Sequence, residues 1–197
     1  MEKLTKRGYR IHSNRMLSLI HYTALVRRVD AFCAEVLREY RSSMACAPGC
    51  DSCCILETVN AVEAGVLLNH AASIGPAHRD AVMLRAAEPA RAGQPCVFLE
   101  NGLCAVYEAR PLICRTHGLP VYLDGAVDFC PKNFTEVSRI ESPFILGLEN
   151  LNTMLGAINL EFQREHPDSF FQKERFVLRE LFKSPVADIP AKKSTLE

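Results

Sequence analysis

Cys46-Ala47-Pro48-Gly49-Cys50-Asp51-Ser52-Cys53-Cys54 places four thiols within a single short loop. Four more follow at Cys96, Cys104, Cys114 and Cys130, so the run from Cys46 to Cys130 holds eight of the chain's nine cysteines. A soft metal ion needs several thiolates converging at about 2.3 Å, and Gly49 lets the backbone fold round such an ion. Cys46, Cys50 and Cys53 stand at C-x3-C-x2-C, with Cys54 directly after. Neighbouring side chains in an extended stretch point to opposite sides. One member of the Cys53-Cys54 doublet therefore serves a second metal or remains a free thiol. Eight thiols allow two tetrahedral sites, one cluster plus one ion, or a single site with spare thiols, and spacing alone does not assign ligands among them.

The remainder of the composition fits this reading. At 197 residues the chain is long enough for one domain with its own core. The 23 basic and 23 acidic residues cancel, leaving no long-range attraction to nucleic acid or to an anionic membrane. Met1-Glu2-Lys3-Leu4-Thr5-Lys6-Arg7 contains no apolar signal core, and no segment approaches the ~18 consecutive apolar residues of a membrane helix. The expected location is the cytoplasm. There thiols stay reduced, and a cysteine-dense segment binds metal or does chemistry rather than forming disulfides.

Working outward from the cysteine run, the expected fold is mainly α with small β-hairpins (α+β), its helices packed around a cysteine-rich metal-binding core. The chain reads as a single domain over 1–197: an N-terminal helix at 14–43, the cysteine core at 46–134, C-terminal helices at 143–183 and a flexible tail at 185–197. Ser13 or Asn14 can cap the first helix, whose stripe is Leu25, Val29, Phe32, Val36 and Tyr40. Cys33 lies on that stripe and reads as a small core residue; His21 reads as a satisfied helix histidine.

Pro48-Gly49 breaks the helix. A second helix runs from about Asn60 to Ser73 behind an Asn60/Glu63 capping box. A third opens at Gly75-Pro76 and runs to about Ala90. From Gln94 the period changes. Residues 96–99 and 103–107 flank Asn101-Gly102, a hairpin signal that sets Cys96 and Cys104 facing each other. A helical turn at Leu112–Arg115 and a second hairpin around Asp124-Gly125 lie between Cys114 and Cys130. The long C-terminal helix spans about Pro143 to Glu165, with a last one at about Phe171 to Phe182. The middle region is short of apolar mass, and two small hairpins are marginal alone. Metal cross-linking would supply what the core lacks.

The candidate metal ligands are Cys46, Cys50, Cys53, Cys54, Cys96, Cys104, Cys114 and Cys130. Structural zinc sites usually show paired C-x2-C knuckles, and only Cys50–Cys53 has that form here. C-x3-C-x2-C is a cluster-type loop, and Cys130-Pro131 matches the Cys-Pro ending of bacterial ferredoxin ligands. An iron–sulfur cluster is therefore the preferred cofactor and zinc the alternative. The radical S-adenosylmethionine enzymes share the spacing, but no run of βα units is visible. Arg110 and Arg115 flank Cys114 and are candidate partners for an anionic thiolate cluster, whose potential they would raise. His117 reads as a surface or supporting histidine rather than a ligand, and Tyr107 as a hairpin core aromatic.

The segments Cys46-x3-Cys50-x2-Cys53-Cys54 and Cys96-x7-Cys104-x2-Tyr107-x2-Arg110-Pro111-x2-Cys114-Arg115, with Cys130 beyond, resemble the YkgJ-type cysteine-cluster family over about residues 46–134. That family's nominal pattern is CxxCxxCC; this chain has three residues in the first gap. The resemblance implies a zinc- or iron-chelating domain, in some members labelled an iron–sulfur oxidoreductase. Flagellin lysine methylases resemble distant relatives with a similar cluster, but no S-adenosylmethionine site is recognisable here. The expected functions are a redox iron–sulfur protein, a structural zinc module that presents a surface to a protein partner, or metal handling. No nucleophile–base pair or nucleotide loop points to a hydrolase or kinase.

Overall fold

Helix α1 spans Leu17–Glu39 and buries Tyr22, Leu25, Val29, Cys33 and Val36 along one side. Their spacing of three and four residues is the helical period, so a single stripe faces inward. The computed structural model describes residues 16–167 and 170–183; Ser13, Asn14 and the stretch 185–197 lie outside the described residues. A short 3-10 turn, Arg41–Ser43, follows α1. The chain then enters the cysteine loop.

Strand β1 (Thr58–Val59) leads into α2 (Ala61–Ala71). Asn60 caps α2 by accepting a hydrogen bond from the Glu63 backbone N–H at 3.1 Å, the first half of the capping box. Helix α3, Pro76–Ala87, begins on its proline, whose missing N–H costs nothing at a helix start. Then come two hairpins. Strands β2 (Leu99–Glu100) and β3 (Leu103–Cys104) are joined by Asn101-Gly102, both at positive φ. Helix α4, Leu112–Thr116, follows. Strands β4 (Val121–Leu123) and β5 (Ala126–Asp128) are joined by Asp124-Gly125, again both at positive φ. These Asn-Gly and Asp-Gly pairs tolerate the left-handed geometry that two-residue hairpins demand.

The C-terminal part departs from the expected pair of helices. Pro143 belongs to a 3-10 turn, Ser142–Phe144, and Leu146–Gly147 forms strand β6, which pairs in parallel with β4. Helix α5 begins only at Leu148 and runs to Glu165. The region expected as one helix from Phe171 contains a 3-10 turn (Phe170–Gln172), strand β7 (Phe176–Val177) and the short helix α6 (Leu178–Phe182). Strand β7 pairs antiparallel with β1, matching Thr58 with Val177 and Val59 with Phe176. Apolar spacing there follows aromatic packing rather than one helical face: Phe162, Phe171 and Phe176 meet edge to face.

Helix α5 packs against α1 and α2, and α6 packs against α3. One continuous apolar core joins them, with Val36, Val59, Leu67, Val82, Val97, Leu112, Phe162 and Phe182 buried. Val97, Phe98, Val106 and Leu112 carry the cysteine region into this core, and Phe98 lies edge to face with Phe182 at 5.1 Å. The architecture is α+β: among the described residues, helices with three small sheets, ordered β1-β7, β2-β3 and β5-β4-β6. Among the described residues no helix is long and apolar enough to cross a membrane.

Candidate metal centre

The first cysteine loop is a succession of tight backbone turns. The Cys50 N–H donates to the Ala47 carbonyl at 2.9 Å, Cys54 to Asp51 at 2.8 Å and Ile55 to Cys53 at 2.9 Å. Gly49 sits at φ +91° in this loop. A β-carbon on Gly102 would stand 3.2 Å from the Gly49 Cα, so the loop rests on the tip of the β2–β3 hairpin. The loop's far end is tied into the hairpin region as well, because the Cys96 N–H donates to the Cys54 carbonyl at 2.7 Å.

The hairpin does not set Cys96 opposite Cys104. The register pairs Leu99 with Cys104 and Glu100 with Leu103. A two-residue turn leaves no other register, and counting outward from it puts Cys104 opposite Leu99. Cys96 lies before the strand, at the base of a turn closed by the Leu99 N–H on its carbonyl at 2.9 Å.

Helix α4 carries Cys114, and a buried carboxylate holds its start. Glu63 accepts the Leu112 N–H at 3.0 Å. Burial pushes the Glu63 carboxyl up, while the backbone N–H groups of Leu112 and Asn60 draw it back down. The guanidinium of Arg115 grips α1. Its Nη1 reaches both Asp30 carboxylate oxygens at 2.9 and 2.8 Å, Nη2 donates to the Glu108 carbonyl at 2.7 Å, and Nε donates to the Arg110 carbonyl at 3.0 Å. Cys33 is buried on α1, and its thiol donates to the Arg115 carbonyl at 3.4 Å. His21 bonds Glu161 at 2.8 Å through Nδ1. His117 lies exposed just after α4.

Cys130 and Cys46 meet at Gly118. A β-carbon there would stand 3.4 Å from both the Cys46 Sγ and the Cys130 Cβ, and Gly118 has φ +85°. Asn133 completes the junction. Its Oδ1 accepts the Ala45 N–H at 2.9 Å, and its Nδ2 donates to the Gly118 carbonyl at 2.7 Å and lies 3.3 Å from the Cys46 Sγ. Reading the sequence for thiols misses Asn133, Gly118 and Glu63. Only the Asn60/Glu63 cap spacing marks one of them in advance.

Every cysteine in the chain is a free thiol. Burial pushes the Cys96 thiol up to about 11, with further contributions from Cys104 and Cys54. Cys114 presents a surface to solvent, yet the protein packed round its sulfur, and then Cys96, Cys104, Glu63 and Cys54, push that thiol up to about 12. Burial followed by Cys104 raises Cys54, and burial followed by Cys54 raises Cys53, which also feels Cys46 and Cys50. Burial raises Cys104 too, offset in part by the Val106 backbone N–H and the Arg110 charge.

Arg110 stacks its guanidinium 3.8 Å above the Tyr107 ring. Tyr107 is not a core residue: it is 58% exposed, and its apolar face is covered by that cation rather than by the hairpin. The Nε of Arg110 is buried with no hydrogen-bond partner. A buried guanidinium N–H without an acceptor is costly, and a thiolate or cluster sulfur at the neighbouring Cys104 would be a suitable one.

The donor types suit a soft metal, and the orphaned Arg110 Nε suits an anionic sulfur centre. The thiols nevertheless stand apart. Among the described residues, no group of three or more His, Cys, Asp or Glu side chains is already placed to hold an ion. Closure on a metal therefore requires these side chains to move together. A shallow cavity of about 510 Å³, bordered by Ile74, His78, Leu103 and Cys104, opens beside the hairpin.

Residues 45–131 match the family model CxxCxxCC, "Putative zinc- or iron-chelating domain". This stretch, less than half of the chain, is similar to the CxxCxxCC domain. The match spans the cysteine loop, both hairpins and α4, and supports metal binding. No curated protein and no solved structure matches the chain.

Proposed function

We propose that the CxxCxxCC domain holds metal through Cys46, Cys50, Cys53, Cys54, Cys96, Cys104, Cys114 and Cys130, with iron in an iron–sulfur cluster and a redox role. The observation that carries this reading is the sulfur-only donor set beside Arg110. That set consists of eight free thiols, and the neighbouring guanidinium has a buried N–H without an acceptor. Soft thiolate ligands select iron–sulfur clusters and zinc over hard cations, and a cationic N–H donor beside cluster sulfur raises its potential. A reducing compartment belongs to this reading, since oxidation would remove the ligands.

A structural zinc module is the second reading, favoured by the meagre secondary structure around the cysteines. Strands β2 and β3 are two residues long, and β4 and β5 three, too little to be stable alone. Zinc would then act as the cross-link and the folded surface would engage a partner.

The test is metal and acid-labile sulfide analysis with an absorption spectrum on protein purified without oxygen. Iron with sulfide and visible colour supports the cluster. Colourless zinc transfers the conclusion to the structural module, and metal-free protein that stays folded and refuses both metals sinks the two readings together.

A further inference from the structure

We infer that Asn133 is a positioning residue of the metal centre: its side-chain amide donates a hydrogen bond to the Cys46 sulfur and presents that sulfur to the ion. The inference rests on the metal-binding reading above and deepens it, naming what holds one ligand in place.

The surroundings allow the amide one orientation. Asn133 is 1% exposed. The Ala45 N–H lies 2.9 Å from one terminal atom, which must be the oxygen because a donor needs an acceptor. The Gly118 carbonyl lies 2.7 Å from the other, which must be the nitrogen. That nitrogen carries a second N–H, and a buried N–H without an acceptor is costly. The atom placed to accept it is the Cys46 Sγ, at 3.3 Å. A thiol sulfur is a weak acceptor, whereas a metal-bound sulfur is anionic and accepts more strongly. The contact therefore suits the loaded state. It serves the empty state as well, because the Cys46 sulfur also lies 3.7 Å from the Asn133 Oδ1, within reach of an S–H donor.

The backbone holds the amide in turn. The Asn133 N–H donates to the Cys130 carbonyl at 2.9 Å, and the Phe134 N–H donates to the Ser43 carbonyl at 2.7 Å. The buried Phe134 ring meets Tyr40 and Phe129 edge to face. Phe134 sits at φ +58°, which a bulky residue adopts only where its surroundings impose it. The residue after the amide is thus locked against the end of α1, and the amide joins the Cys46 loop to Gly118 just beyond α4. Cys46 is an exposed residue, so support from Asn133 on one side leaves the ion an approach from solvent. Partners of this kind orient a metal ligand, and losing one costs about tenfold to a hundredfold in metal affinity.

The experiment loads the full chain, without oxygen, with the magnetic isotope of cadmium and records its side-chain amide signals by NMR. One Asn133 Nδ2 proton should be split by the metal through the Cys46 sulfur and should exchange slowly with water. Asn133→Asp keeps an acceptor for the Ala45 N–H but has no N–H to give. Its affinity for cobalt(II) should fall about tenfold to a hundredfold, and its sulfur-to-cobalt absorption should move to lower energy. In a Cys46→Ser background the same substitution should change neither any further. An uncoupled, freely exchanging amide in the loaded parent would overturn the inference and leave metal binding standing. So would unchanged affinity and absorption in a folded Asn133→Asp protein, or an effect undiminished beside Cys46→Ser. An asparagine that only supported the fold would lower the urea midpoint of the metal-free protein and move neither reading. No uptake of cadmium or cobalt by the parent would overturn metal binding itself. The NMR reading needs no variant, so a substitution that prevents folding does not remove the test.

Discussion

Gly118 shows how much one residue without a side chain decides here. At φ +85° it occupies a conformation that costs an ordinary residue about 1–2 kcal/mol, and a β-carbon there would press on the Asn133 amide at 3.2 Å, the group that bridges Gly118 and Cys46. Gly118→Ala is expected to lower the urea midpoint of the metal-free protein and to weaken metal retention. Unchanged metal content in a folded Gly118→Ala protein would show that the Cys46–Cys130 approach is incidental. Cys33 is the opposite case, a thiol whose surroundings are apolar helix packing and a carbonyl acceptor. Cys33→Ser should keep full metal content, whereas Cys50→Ser and Cys114→Ser should each lose metal and lower the soluble yield. Loss of metal from Cys33→Ser would mean that the nine thiols are divided wrongly.

Among the elements, α4 is held more firmly than its five residues could manage alone. Glu63 occupies its start, and Arg115 pins it to α1 through a two-pronged contact with Asp30. The Arg115 side chain is only 8% exposed, but Asp30 is 43% exposed, so solvent screens the ion pair and the gain comes chiefly from the set of hydrogen bonds the planar guanidinium makes at once. Arg115→Lys should destabilise the protein by about 2 kcal/mol in urea unfolding, since an ammonium cannot reach a carboxylate and two carbonyls in one plane. Equal stability of Arg115→Lys and the parent would remove the planar fork from the explanation.

The same scale explains what could be read in advance. Asn101-Gly102 and Asp124-Gly125 announce their hairpins because positive φ is written in residue type, and Asn60 announces α2 because a cap needs an acceptor. Strands β1, β6 and β7 span two residues each, too few for any period, and they exist only because distant partners are present. The eight cysteines were visible at once. That the segments of Cys54 and Cys96, and those of Cys46 and Cys130, lie side by side is not legible, because it depends on the Cys54 carbonyl and on Gly118, which join residues far apart in the chain. An aromatic beside a strand reads as core, but Arg110 covers the Tyr107 ring instead.

For the whole molecule, three thiols held in their neutral form set a pH limit on the metal-free state. Cys33 and Cys96 are pushed up to about 11 and Cys114 to about 12, from an ordinary 9.0. Folding favours their neutral forms, so on raising the pH the unfolded chain ionises first. Their contribution to stability is complete below pH 9 and is lost as pH climbs toward 11–12. The metal-free protein should therefore show a falling urea midpoint above about pH 9. The loaded protein, with its ligand thiols already deprotonated, should show a smaller fall over the same range. Parallel curves for the two forms would mean that Cys96 and Cys114 are not ligands.

The pairing of β1 with β7 also has a consequence for the order in which the protein is made. Thr58 and Val59 find their partners only when Phe176 and Val177 have been synthesised, and every cysteine precedes that point. At ~5–20 residues per second the ribosome needs on the order of ten seconds to travel from one strand to the other. During that interval β1 waits unpaired while Cys96, Cys104, Cys114 and Cys130 are added to the chain behind it.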